Sequence, residues 1–298
     1  MVVMAWVFVL GVILGSFYNV LIIRTLNGES IIFPPSHCMS CDTSIEWKYK
    51  IPILSYLFLK GKCKYCGANI SIMYPIVELL TGLIFVFLYA KFGLTFHFFM
   101  AVVCASIFLI LAGMDIISTM ICSKYATFLV VCSILFNYND VLNSIYGGVI
   151  CFGIIKFLLF ISNKCKKEFV GDGDLHLFTA LGCFVGMSNL FFTLIFVALF
   201  SGMFCVVKFI KNSLNQKDYK SILYLLWFGI SYFLTFLTRM NNNFSCLWLR
   251  LLIFVNLILS LFYFSRVLIR NLKKSQGSLF MPVSPFVFLA VLCYMFIF

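Results

Sequence analysis

The sequence predicts an all-α polytopic integral membrane protein of about 8–10 transmembrane helices with one small cytoplasmic loop domain that binds zinc. Three observations predict it. Of 298 residues, 63% are hydrophobic and only 11% charged, against roughly 25% charged in a globular domain. Apolar stretches near the length of a membrane span recur along the chain, separated by short basic loops. The one sizeable polar segment, residues 25–73, carries two C-x-x-C pairs.

The first apolar stretch, Met1 to Ile23, contains Gly11, Gly15 and Ser16, small residues that let helices pack closely. It has no basic leading region and no small-residue cleavage site, and Arg24 follows it directly. It therefore reads as a retained helix, ended by Arg24, rather than a signal peptide. After the polar segment, apolar spans are expected at 74–91, 95–114, 125–138, 141–162, 175–189, 190–209, 221–238, 247–265 and 280–298. The 125–138 and 175–189 spans fall short of the roughly 20 residues a crossing needs, so they are expected to tilt, extend or be partly re-entrant.

A net charge of +12 would suggest nucleic acid as the partner of a soluble chain. Here it reports orientation instead, because Lys and Arg collect in cytoplasmic loops, and the expected surroundings are a lipid bilayer with no nucleic acid. With the C-x-x-C segment inside, the basic loops around 118–124, 164–167, 208–220 and 266–274 are inside too. Only Lys91, Arg239 and Arg250 among the 22 Lys and Arg residues then fall outside.

Thirteen cysteines invite a disulfide reading, but nine lie in or beside apolar spans, where Cys behaves as a small hydrophobe. The other four are Cys38, Cys41, Cys63 and Cys66. Two C-x-x-C pairs, each followed by a turn former (Asp42, Gly67), read as a pair of zinc knuckles with four thiolate ligands. Four thiolates leave no open position for water, so the metal is structural, and it supplies folding energy to a segment too small to bury a core. His37 is a possible substitute ligand, although a solvent-facing loop histidine is the plainer reading. Two disulfides would require an oxidising compartment, against the charge pattern.

Two places put a carboxylate at the end of a long apolar span on the side read as cytoplasmic. One is Asp115, after the run 102–114; the other is Val170-Gly171-Asp172-Gly173-Asp174-Leu175, before Phe178, Leu181 and Phe184. Ionisable residues at membrane depth are costly and mark functional sites. Two carboxylates brought together share a proton, so one can deprotonate a water while the other polarises a carbonyl, as in aspartic proteases. The glycines would let a substrate backbone approach closely. The alternative is that Asp172 and Asp174 only cap the next helix.

The ordered motifs carry a resemblance. Gly15-Ser16-Phe17-Tyr18-Asn19-Val20, Pro35-Ser36-x-Cys38-x-x-Cys41, Ile51-Pro52-Ile53-Leu54-Ser55-Tyr56, Gly61-x-Cys63-x-Tyr65-Cys66-Gly67, Tyr74-Pro75-Ile76-Val77-Glu78, Asp115 and Gly171-x-Gly173-Asp174 together resemble the type IV prepilin peptidase family over about residues 10 to 190. The resemblance implies bifunctional leader peptidases and N-methyltransferases of type IV pilus, type II secretion and competence systems. It implies catalytic roles for Asp115 and Asp174, zinc ligation by Cys38, Cys41, Cys63 and Cys66, and substrate contacts at Gly171, Gly173 and Glu78, the last positioning substrate or serving methyl transfer. It further implies S-adenosylmethionine as methyl donor, prepilin or pseudopilin precursors as substrates, methylation of a new N-terminus that is usually Phe, and a place in the bacterial cytoplasmic membrane with site and thiol loop facing inward. The chain departs from the family at Cys122-Ser123, where Pro-Asp is usual, and at His176, where Lys is usual. The expected organisation is a first transmembrane helix (1–24), a four-Cys zinc-binding domain (25–73), an aspartic peptidase core (74–210) and a C-terminal transmembrane extension (211–298), for which packing or assembly contacts are expected. The rival readings are an intramembrane protease with another substrate and no methyltransferase activity, and a non-enzymatic assembly factor or transporter.

Overall fold

The computed structural model describes residues 2–33, 35–164, 171–215 and 282–297, with isolated positions between 223 and 256. Among them the architecture is all-helical, as the composition predicts; extended pairing is limited to two isolated bridges. The helices are α1 (Val2–Asn27), α2 (Leu54–Phe58), α3 (Met73–Phe92), α4 (Phe96–Ser118), α5 (Ser123–Phe136), α6 (Val141–Lys164), α7 (Asp172–Asn215) and α8 (Ser284–Ile297), with a 3₁₀ turn at Trp47–Tyr49. Five of them, α1, α3, α4, α6 and α7, are long and apolar enough to cross a membrane. The 14-residue α5 and α8 are apolar but short, about 21 Å of helix against a hydrocarbon core of about 30 Å. The predicted spans at 221–238 and 247–265 lie outside the described residues.

The chain divides into two compact units, Met1–Phe200 with Pro282–Phe298, and Ser201–Met281. In the second unit the described residues are essentially the end of α7, to Asn215. Everything that follows concerns the first.

Glycine contacts bring α1 and α3 together. A Cβ on Gly11 would come within 2.9 Å of Gly82 Cα, and one on Gly15 within 2.8 Å of Glu78 Cα, so the small residues of the first span bring two backbones into contact. Polar ties fix the register: Tyr18 Oη donates to Ser106 Oγ on α4 at 2.8 Å, and Asn19 Nδ2 to the Tyr74 carbonyl at 3.1 Å. Asn19 and Ser106 are buried, and a buried polar group needs such a partner. In α4 the run from Cys104 to Asp115 is buried without interruption, making it the central helix.

Two boundaries differ from the sequence reading. Helix α1 does not stop at Arg24 but continues to Asn27. Arg24 is buried, and its guanidinium donates to the carbonyls of Ser30, Ile31 and Pro35, which turns the chain back over the helix end. The second difference is inside α7. The helix breaks at Gly186 (φ 73°, ψ 168°), before the 189/190 boundary read from hydropathy, because only glycine adopts that backbone cheaply. Polar side chains around the α5–α6 turn satisfy the groups the break releases: Asn137 Nδ2 donates to the carbonyls of Cys183 and Phe184 at 2.8 Å each, and Asn143 Oδ1 accepts from Ser188 N.

Candidate active site and metal centre

Asp115 lies in the last turn of α4. Thr119, in the left-handed region (φ 53°), ends the helix and returns its N–H to the Asp115 carbonyl at 2.8 Å. The chain then passes Ile121 and enters α5 at Ser123. The start of α7 packs against this turn: a Cβ on Gly173 would stand 2.7 Å from Ile121 Cβ and 2.8 Å from its carbonyl oxygen. Only a glycine there lets α7 approach so closely. The turn that follows Asp115 thus packs against the first turn of α7, which carries Asp174.

Asp115 is buried, 3% exposed, and its Oδ2 is held by a residue the sequence reading did not select. Ser284, the first residue of α8, donates its backbone N–H to Oδ2 at 2.8 Å, and its Oγ lies 2.7 Å from the same oxygen and 3.2 Å from the Leu111 carbonyl. The positive end of a helix dipole also favours an anion there. Ser284-Pro285 is a recognisable helix start, but nothing in its surroundings points to a partner 169 positions earlier. Asp174, in the first turn of α7, accepts the Gly171 N–H at Oδ2, 3.0 Å. Gly171 itself is open, with only that oxygen near where its side chain would be. Asp172 is exposed.

The four predicted thiols converge. The sulfurs of Cys38, Cys41, Cys63 and Cys66 all lie within 4.8 Å of one another, and Cys38 Sγ is 3.8 Å from Cys66 Sγ. About 3.8 Å is the edge of a tetrahedron whose metal–sulfur bonds are about 2.3 Å, so the cluster could hold one ion. Its halves repeat one design. In each, the first Cys donates its N–H to a residue five positions on, Thr43 or Ala68, and its carbonyl accepts from Asp42 or Gly67, both with positive φ. Backbone amides of Cys66 and Tyr65 lower the Cys63 thiol to about 7, and the Thr43 hydroxyl lowers Cys41, so part of the set is prepared to bind as thiolate. His37 is not in the cluster; its Nδ1 sits 3.1 Å from the Pro35 carbonyl.

Glu78, in the second turn of α3, is 5% exposed. One oxygen accepts the Ile53 N–H at 2.7 Å, and the Ser16 hydroxyl is a second partner. The C-terminal end of α1, the N-terminal end of α3 and the C-terminal end of α4 lie together, so Glu78, the thiol loop and Asp115 share one end of the helix bundle.

Fold and site define a class: a multi-pass membrane protein with a tetrathiolate loop and a carboxylate pair at the same helix ends. Residues 9–92 match the bacterial peptidase A24 N-terminal domain, and residues 102–206 match the type IV leader peptidase family. Among curated proteins the chain is 34% identical over 211 residues to a prepilin leader peptidase/N-methyltransferase of Bacillus subtilis, covering 71% of this chain and 85% of that one. It is 32% identical over 201 residues to a protein of the same name from Myxococcus xanthus, covering 65% and 59%. It is 30% identical over 197 residues to another from Klebsiella pneumoniae, covering 62% and 86%. The match thus spans less than two thirds of the Myxococcus protein's length. No solved structure matches. The chain belongs to the type IV leader peptidase family, a family of peptidases. The thiols and Glu78 lie in the first matched region, Asp115 and Asp174 in the second, and Ser284 in neither.

Proposed function

We propose that this protein removes the leader peptide of type IV prepilin-like precursors with the Asp115/Asp174 pair and then methylates the new N-terminal amine with S-adenosylmethionine. The observation that carries the reading is the packing of the first turn of α7, which holds Asp174, against the turn that follows Asp115 at the end of α4. Such a pair holds one shared proton. The ionised member takes a proton from water as the water attacks the scissile carbonyl, and the protonated member donates to the carbonyl oxygen. Ser284 commits Oδ2 of Asp115 to the protein's own donors, leaving Oδ1 to face the water. Gly171, open on its side-chain face, admits the extended substrate backbone, and Gly173 holds the α4–α5 turn against α7.

The thiol loop takes zinc, since an all-sulfur tetrahedral set suits that ion. Neither the 3₁₀ turn nor α2 buries a residue, so the ion acts as a folding centre for the loop. The basic loops face the cytoplasm, which sets the thiol loop and both aspartates beside the basic leader of a precursor. The domain limits follow: 1–24 and 74–210 carry the helices around the site, 25–73 the zinc loop, and 211–298 the extension that ends in α8.

Purified protein incubated with a prepilin-like precursor tests this by mass spectrometry. A leaderless product heavier by one methyl group at its N-terminus is expected. Full cleavage by Asp115→Asn or Asp174→Asn would end the peptidase assignment, and an unmodified amine with donor present would end the methyltransferase assignment.

A further inference from the structure

Helix α2 is built inside out. Its exposed residues are Leu54, Leu57 and Phe58, the i, i+3, i+4 set that makes one face of a helix, while the less exposed Ser55 and Tyr56 lie on the other side. The face turned to the surroundings is therefore the apolar one. Trp47, in the 3₁₀ turn that packs against α2, is exposed beside it. A contiguous apolar face of this kind is costly in water and marks a surface that something covers.

Position and charge say what covers it. The amide of Ile53, the residue before α2, donates to Glu78 at 2.7 Å, and Glu78 is the sixth residue of α3, roughly 7–8 Å along that helix from its start. Around Glu78 the α3 residues Ile76, Leu79 and Leu83 are exposed and apolar, which on a membrane-spanning helix is the side that faces lipid. Helix α2 therefore begins level with the lipid-facing stripe of α3 rather than beyond the helix ends. Ile53 (φ 60°, ψ −54°) makes this possible: the Leu54 N–H returns to the Pro52 carbonyl at 2.6 Å, a γ-turn of the rare kind, which swings the chain sharply from Glu78 into α2. The apolar residues 51–59 are bounded by Lys50 and Lys60, both exposed. Neither has a carboxylate partner among the described residues, where the Lys48–Glu46 bridge is the one ion pair. Residues 46–64 hold five lysines against a single acid, a sign that matches an anionic leaflet.

We infer that α2 and the adjoining 3₁₀ turn form an interfacial anchor: Leu54, Leu57, Phe58 and Trp47 enter the acyl edge of the leaflet on their side of the bilayer, and Lys50 and Lys60 rest on anionic phospholipid headgroups. Trp suits that level, with an apolar ring and a polar N–H, and the lysine stems run along apolar surface to bring their ammonium groups to the phosphates. Each lysine held there favours the docked loop by about fivefold. The thiol loop is then tied to the bilayer through α2 as well as through α1 and α3, and the same anchor keeps the Ile53 amide against Glu78.

The full zinc-loaded chain, reconstituted in bilayers of phosphatidylcholine alone and of phosphatidylcholine with phosphatidylglycerol, tests the anchor. Trp47 emission is isolated by subtracting the spectrum of Trp47→Phe, which keeps an aromatic ring. With phosphatidylglycerol present it is expected at shorter wavelength, quenched by phospholipid brominated on its acyl chains and shielded from aqueous acrylamide. Amide exchange of residues 51–59 in the unaltered chain, which needs no variant to fold, is expected to be slower with phosphatidylglycerol than without. Lys50→Gln combined with Lys60→Gln is expected to shift the equilibrium toward the free loop by roughly 25-fold, returning exchange to the neutral-bilayer rate with zinc content unchanged. Trp47 quenched by acrylamide and untouched by brominated lipid overturns the anchor, and exchange alike in the two bilayers overturns the part given to the lysines. A Trp47 that is shielded only after a prepilin-like precursor is added, or only as protein concentration rises, also overturns it, since the face would then bind protein rather than lipid.

Discussion

The thiol loop and the carboxylate site occupy the same end of the bundle and are built in opposite ways. The loop is held by ligands close in sequence, and large apolar side chains such as Trp47 (80% exposed) and Phe58 (82%) stand outside any core. The carboxylate site is the reverse: Asp115 is buried at the end of the packed helices, and its hydrogen-bond partner comes from α8, 169 positions away in sequence. On the proposed reading the loop depends on one ion held by its four sulfurs, and the site depends on the whole helix bundle. A perturbation of one should leave the other standing, and this separation is what experiments can break.

The largest effect is expected at the aspartates. On the proposed mechanism Asp115→Asn or Asp174→Asn removes one proton carrier of a pair, so cleavage should fall by roughly 10⁴-fold or more. Zinc content and thermal unfolding of the helices should stay near those of the unaltered protein. Loss of zinc from Asp115→Asn would show that the two regions are not independent.

Removing the metal tests the other half. A structural zinc contributes about 10–16 kcal/mol in small metal-folded units, far more than this loop can replace by packing. Cys63→Ser, or strong chelation, should therefore unfold residues 28–72, seen as rapid amide exchange and new proteolytic cuts there. Exchange in α4 should hardly change. Protection lost equally in α4 would mean that the loop supports the bundle.

A smaller effect is expected where the two regions touch. Gly15→Leu drives a side chain into the Glu78 backbone, 2.8 Å from where its Cβ would stand, and overpacking of that kind costs about 1–3 kcal/mol. It also displaces Glu78; if Glu78 serves methyl transfer, methylation should suffer more than cleavage when both are read from one product by mass. Equal loss of the two activities would tie the α1–α3 contact to the peptidase site as well.

What could be read from residues alone follows the same division. The four thiols were legible because a knuckle is a local object: the C-x-x-C spacing and the following Asp42 or Gly67 are consequences of one turn geometry, repeated. Asp115 and Asp174 were singled out for a different reason, that a charge at the end of an apolar run is expensive. The reading stopped where contact depends on the packing of distant helices. Arg24 looked like a helix terminator and is a buried organiser of the loop. Gly173, whose flexibility suggested a substrate contact, stands directly against Ile121. The C-terminal extension showed no motif, yet its last helix begins on the Asp115 carboxylate.

That last contact sets the finest test. If α8 only packs against α4, trimming the Ser284 hydroxyl should cost stability and nothing else. If Ser284 orients Asp115, Ser284→Ala removes one of two donors from Oδ2 and leaves the backbone N–H, since the helix start remains. One neutral hydrogen bond to a charged group is worth about 1.5–3 kcal/mol, so kcat for leader removal should fall by roughly 10- to 100-fold with KM for the precursor nearly unchanged. Ser284→Thr keeps an oxygen at that position and should restore most of the rate, whereas a packing role would predict that the extra methyl makes matters worse. A variant series in which cleavage follows thermal stability rather than the presence of the hydroxyl would reduce Ser284 to a packing residue and leave Asp115 oriented by α4 and α7 alone.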